Sequence, residues 1–108
     1  MPYPVMVVRR LKVSGMAVYP FILVQKPTDA HDPVIIRHET IHMKQAEELF
    51  IIPFYLLYLL NYLFNLYKYR NHDQAYLNIV FEREAYRCER DSTYLQHRRL
   101  WAWRFYFK

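Results

Sequence analysis

The sequence predicts an α+β chain: a small N-terminal sheet of two or three strands packed on a helix, then a long apolar helix, then a third long helix. Three observations carry that reading. Residues 1–26 concentrate β-branched and aromatic residues in two runs, Val5 to Val8 and Met16 to Val24. The stretch His38-Glu39-Thr40-Ile41-His42 needs a helix to bring its histidines together, because residues four apart lie on one helix face. From Tyr76 to Leu95, apolar and aromatic side chains recur at roughly helical spacing. The length of 108 residues fits one domain, and no internal repeat or low-complexity segment divides it.

Taken in order, Ser14-Gly15 reads as a turn between the two β runs, and it holds the only glycine of the chain. Pro20 cannot donate to a ladder, so the second run is an edge strand or is interrupted there. Lys26 to Pro33 is a polar connector. Thr28, Asp29 or Asp32 is placed to cap the next helix, and Pro33 suits its first turn. His31 reads as a loop residue rather than a ligand. A helix is expected from Val34 to Phe50, and Pro53 interrupts or kinks the apolar run beyond it. Residues 49–67 carry no charge, and as a helix they would span roughly 28 Å. The chain is expected to turn back at residues 69–73. A last helix then runs from about Asp73 to Arg98, with a basic-aromatic tail over residues 99–108.

The chemistry lies in the His38–His42 stretch, which reads HExxH. On a helix, His38 and His42 can offer two imidazole nitrogens to one zinc ion, and Glu39, rotated by roughly 100° from His38, can reach a water beside it and act as general base. A catalytic zinc site needs three protein ligands and an open position, so a third ligand must come from elsewhere. The segment Phe81-Glu82-Arg83-Glu84-Ala85-Tyr86 offers two carboxylates, Glu82 and Glu84.

These pieces resemble the gluzincin metallopeptidases, most closely the very small ones called minigluzincins. They also look like short bacterial proteins that share HExIHxxQ, an apolar helix and FEREAY, here His38 to Gln45 and Phe81 to Tyr86. The resemblance covers residues 33–91. It implies a minimal zincin-like fold, a Zn2+ cofactor and a glutamate ligand on a second helix, often with a small residue three positions on. Glu82 with Ala85 matches that spacing and Glu84 with Arg87 does not, so Glu82 is the expected ligand and Glu84 the runner-up. Many gluzincins carry an aspartate four residues after the ligand; this chain has Tyr86 there. The resemblance further implies an edge strand above the metal that binds an extended peptide. Met16, Ala17, Val18 and Tyr19 are the candidates, since an edge strand keeps free N–H and C=O groups. His97, Tyr94 and Tyr86 are available as oxyanion donors, and nothing in the sequence selects among them.

The expected activity is a zinc-dependent peptidase acting on a peptide or protein substrate. Two other readings fit the same residues: a non-catalytic zinc-binding module on a membrane surface or a partner protein, and an integral membrane subunit without metal. Apolar residues make up 54% of the chain and aromatics 19%, more than a domain that buries about two-thirds of its surface can hide. The excess points to a membrane surface, a partner or a second copy of the chain. A net charge of +5 and a pI near 9.4 suit anionic lipid. No nucleic-acid-binding fingerprint appears. A full crossing by residues 49–67 would put Glu82 on the far side from His38 and His42, so a buried or interfacial helix is expected instead. The single cysteine, Cys88, excludes an intrachain disulfide. With no signal peptide at the N-terminus, a cytoplasmic location is expected, peripheral at the inner membrane face.

Overall fold

The computed structural model describes residues 3–107, and the ends of the N-terminal stretch and of the tail (Met1, Pro2, Lys108) lie outside them. The architecture is mixed α+β, a three-stranded sheet with five α-helices. Strands β1 (Val5–Val7), β2 (Gly15–Val18) and β3 (Phe21–Val24) lie in the order β1-β3-β2. β1 runs parallel to β3 and β2 runs antiparallel to it, with Met6 and Met16 both opposite Leu23. The run from Met16 to Val24 is therefore a hairpin folded at Tyr19-Pro20, because proline cannot donate to a ladder and falls in the turn. Gly15 opens β2 rather than sitting in the preceding turn. A Cβ there would lie 2.9 Å from Ile35 Cγ2 and 3.1 Å from Glu39 Oε2. Glycine is needed because β2 passes this close to the first helix.

That helix is α1 (Pro33–Glu48). Asp32 caps it by accepting the Val34 N–H at 2.9 Å, and Pro33 occupies the first turn. Ile41, Met43 and Ala46 place α1 in all three apolar clusters of the core. The helix ends in a Schellman motif: Ile51 N–H bonds Ala46 O at 2.7 Å and Phe50 N–H bonds Glu47 O at 3.4 Å. Phe50 holds the left-handed position of that motif, φ 61°, where glycine is usual. Ile51 comes next at φ 71°, inside a γ-turn closed by Ile52 N–H to Phe50 O at 2.9 Å. The chain leaves at 112° to α1 as helix α2 (Ile52–Tyr69). Among the described residues no single helix is long and apolar enough to cross a membrane.

The chain turns back at Arg70, and Asn71 caps helix α3 (His72–Leu77) through the Gln74 N–H. The long helix expected from 73 to 98 is broken into three pieces. Asn78 ends α3 by folding its side-chain amide onto Gln74 O at 2.8 Å, and Ile79 is extended. Helix α4 (Val80–Cys88) then starts with its first N–H given to Asn61 Oδ1 of α2 at 2.8 Å. Asp91 accepts from the Thr93 N–H and hydroxyl in a local turn before helix α5 (Tyr94–His97). The tail closes as a 3-10 turn, Ala102–Tyr106, with Trp103 packed edge-on against Phe81 at 5.3 Å.

The left-handed backbone at Phe50 carries a steric cost that its side chain does not recover, since the residue is 85% exposed. Phe50→Gly should therefore stabilise the fold by about 1 kcal/mol, read as a higher denaturant midpoint at unchanged slope.

Candidate metal centre

The inner face of α1 presents His38, Glu39 and His42, all buried, toward the first turn of α4. Ala85, fully buried in one cluster with Ile41, lets the two helices approach. Glu82 then projects between the imidazoles. Its Oε1 lies 3.0 Å from His38 Nε2 and 3.1 Å from His42 Nε2. One ligand atom from each of the three residues falls within 4.8 Å of the other two, which suits a single metal ion.

The outer nitrogen of each ring is held by an acceptor. His38 Nδ1 lies 2.8 Å from Glu89 Oε1, and a carboxylate only accepts, so Nδ1 carries the hydrogen. His42 Nδ1 lies 2.8 Å from Gln45 Oε1. The amide cannot be turned around there, because both Gln45 N–H groups are in use, one on Phe81 O and one on Glu84 Oε1, each at 3.0 Å. In their neutral forms both rings would therefore direct Nε2 lone pairs inward at a carboxylate oxygen. Three acceptors facing one another need a cation between them, either protons or a metal ion. His42 Nε2 is buried and makes no hydrogen bond of acceptable geometry, even to the nearby Glu82 oxygen. The donor set and this orphaned nitrogen fit a bound metal.

Charge reflects the same crowding. Burial pulls the His42 imidazole down, but the adjacent Glu82 carboxylate outweighs it and raises the pKa to about 9. Burial alone would raise Glu82, yet His42 and His38 hold it well below the usual carboxylate range. Burial pushes Glu39 up, with the two imidazoles opposing it in part.

The expected carboxylates have separate fates. Glu82 joins the histidines. Glu84 lies in a second network, where its oxygens accept from Gln45, Tyr94 and Arg98, and Arg98 also forks onto Glu48 at 2.8 and 3.1 Å. Tyr86, at the position of the expected aspartate, packs edge-on against the His38 ring at 4.5 Å, and the orienting role falls to Glu89 instead. Glu89 is two helical turns beyond Glu82 and so on its face, a spacing visible in the sequence. Tyr58 of α2 donates its hydroxyl to the second oxygen of Glu82; nothing in the sequence pairs those two. His31, itself exposed, ends a 3-10 turn outside the group. His97 pairs with Asp91 and Tyr94 with Glu84, so of the three candidate oxyanion donors only Tyr86 borders the site, through its hydroxyl contact of 3.1 Å with Tyr76.

Two adjoining cavities, of about 330 and 390 Å3, share Gly15, Glu39 and Tyr76 in their walls. β2 forms one wall, and Met16, Ala17 and Val18 line the first cavity with Phe54, Tyr55 and Tyr58 opposite. Tyr19 lies in the turn beyond, with its hydroxyl on Glu47 at 3.0 Å. Part of the sheet edge is already in use: the Tyr55 hydroxyl accepts the Tyr19 N–H and donates to Ala17 O, at 2.8 and 3.1 Å. No family model, curated protein or solved structure matches the chain.

A metal ion must displace the proton from His42. In the metal-free protein the raised pKa gives stability that is complete below the ordinary pKa of 6.5 and lost as pH rises through about 9. Metal affinity should move the opposite way, climbing about tenfold per pH unit from pH 7 and levelling near 9, with proton release on binding measurable by calorimetry in two buffers.

Proposed function

We propose that the chain is a small zinc-dependent peptidase of the gluzincin type, with His38, His42 and Glu82 as metal ligands and Glu39 as general base. The observation that supports this reading most is the convergence of two Nε2 atoms and Glu82 Oε1 beside a carboxylate with no partner of its own. Among the described residues Glu39 makes no side-chain hydrogen bond, and it faces both cavities. Two imidazoles and one carboxylate are a ligand set that catalytic zinc uses, with a position left open. No fourth His, Cys, Asp or Glu joins the group among the described residues.

Zinc, when bound, polarises a substrate carbonyl and makes a water acidic near neutral pH. Glu39, raised by burial, takes the proton of the attacking water as the new C–O bond forms, then gives it to the departing amine as the C–N bond breaks. Tyr76 lines both cavities, and burial raises its hydroxyl far above neutrality, so it stays protonated and can donate to the oxygen that gains charge. Tyr58 and the two imidazoles fix Glu82 from both oxygens. The part of the β2 edge that Tyr55 leaves free, at Gly15, can pair with an extended peptide.

The Tyr55 contacts favour a second reading, a zinc module in which that edge is closed to substrate and no turnover occurs. One experiment separates the two. Wild-type protein loaded with zinc should cleave a denatured protein substrate. Glu39→Gln should keep its zinc and lose cleavage by at least about 10³-fold, within the range of general-base contributions. Equal cleavage by wild type and Glu39→Gln would overturn the peptidase assignment, and no cleavage by either would favour the closed module.

A further inference from the structure

We infer that the outer face of α2 and the C-terminal aromatic turn form one docking surface for an anionic lipid bilayer. Only Phe54 and Asn65 of α2 are buried. Leu56, Leu59, Leu60, Leu63, Phe64 and Tyr67 are 48–78% exposed, at the spacing of a single helix face. The tail extends this face rather than covering it. Leu57, Leu60 and Phe64 share a groove with Trp103 and Phe107, while Leu100 and Phe105 stay exposed beyond it. At the other end of α2, Phe50 and Ile52 are 85% and 77% exposed. The strained left-handed backbone at Phe50 holds an aromatic side chain in solvent, where glycine would serve the turn better.

Charge identifies the occupant. Residues 49–72 and 92–108 contain no aspartate or glutamate. The charged side chains they carry are Lys68, Arg70, Arg98, Arg99, Arg104 and Lys108, of which Arg98 is consumed internally by Glu48 and Glu84. Arg99 and Arg104 both lie over the Phe105 ring, at 5.6 and 4.5 Å. An apolar strip built from segments that carry cations and no carboxylate, with aromatic side chains interleaved, fits acyl chains below and anionic headgroups beside it. Two copies joined through this face would set cations against cations. α2 is bent by 112° from α1, which suits a helix lying in the interface plane.

The inner face of the same helix supplies Phe54, Tyr55 and Tyr58 to the cavity beside His42 and Glu82. Docking would thus hold the cleft about one helix diameter, roughly 10 Å, from the headgroups. Resting on the peptidase reading, the substrate class is polypeptide presented at a membrane surface, such as a segment flanking a transmembrane helix.

The test is flotation of the purified full chain with vesicles of phosphatidylcholine alone, and of phosphatidylcholine with about one-third phosphatidylglycerol. Binding is expected to the mixed vesicles, and to weaken with added salt. Phe64→Asp should lower it at least tenfold, as should Arg99→Glu with Arg104→Glu. Phe50→Gly, which favours the fold, should weaken binding while raising the denaturant midpoint, so a folding defect cannot imitate the result. His42→Ala should leave binding unchanged, which keeps the docking surface and the metal reading separately testable. Failure to float with either vesicle, or equal binding by Phe64→Asp and Phe50→Gly, would overturn the proposal. A wild-type dimer that Phe64→Asp converts to monomer, without vesicle binding, would assign the face to a second copy and overturn it as well.

Discussion

A carboxylate buried between two imidazoles constrains everything else in this molecule. Taking Glu82 out of water costs several kcal/mol unless positive charge meets it, and His38 and His42 meet it only if a proton or a metal ion lies between the rings and the oxygen. The surroundings are arranged to keep those rings still. Glu89 and Gln45 hold the outer nitrogens, and Tyr58 holds the second Glu82 oxygen. Gln45 is in turn fixed by Glu84, and Glu84 by Tyr94 and Arg98. A chain of contacts therefore runs from the C-terminal segment to the orientation of one imidazole. Trp101 N–H adds to it by bonding Glu48 at 2.6 Å.

The same constraint explains the path of the chain. The histidines are on α1 and the carboxylate is on α4, so the intervening helix must go out and return. The sharp joint at Phe50-Ile51 sends α2 across the site, and Asn71 starts the return. α2 is consequently two-sided. Its inner residues wall the cavity, and its outer leucines and Phe64 stay exposed beside the tail.

Much of the centre was legible in the residues. Asp32-Pro33 marks the start of α1, and the four-residue spacing sets its histidines on one face. Ala85 separated Glu82 from Glu84 only with the help of a family resemblance. What escaped depends on partners distant in sequence. The break between α3 and α4 has no glycine or proline; it is made by Asn61, nineteen residues before the N–H it accepts. Gly15 looks like a turn residue and is instead a point of contact between β2 and Glu39. Phe50 stands where a helix end usually announces itself with glycine; the end of α1 was expected there, but the left-handed joint that follows it was not. Glu84 stood as the runner-up ligand, and nothing in the sequence pairs it with Arg98, on which it is fully buried. The apolar run 49–67 was ambiguous because its two faces have different surroundings, which composition averages together.

The most direct test of this account is metal quantification on the purified chain by mass spectrometry, after exposure to zinc and removal of excess. One zinc ion per chain is expected, lost in His42→Ala and in Glu82→Ala and retained in Glu39→Gln. Wild-type protein that holds no more zinc than His42→Ala and Glu82→Ala would contradict it, and would leave two imidazoles and a carboxylate joined by protons alone.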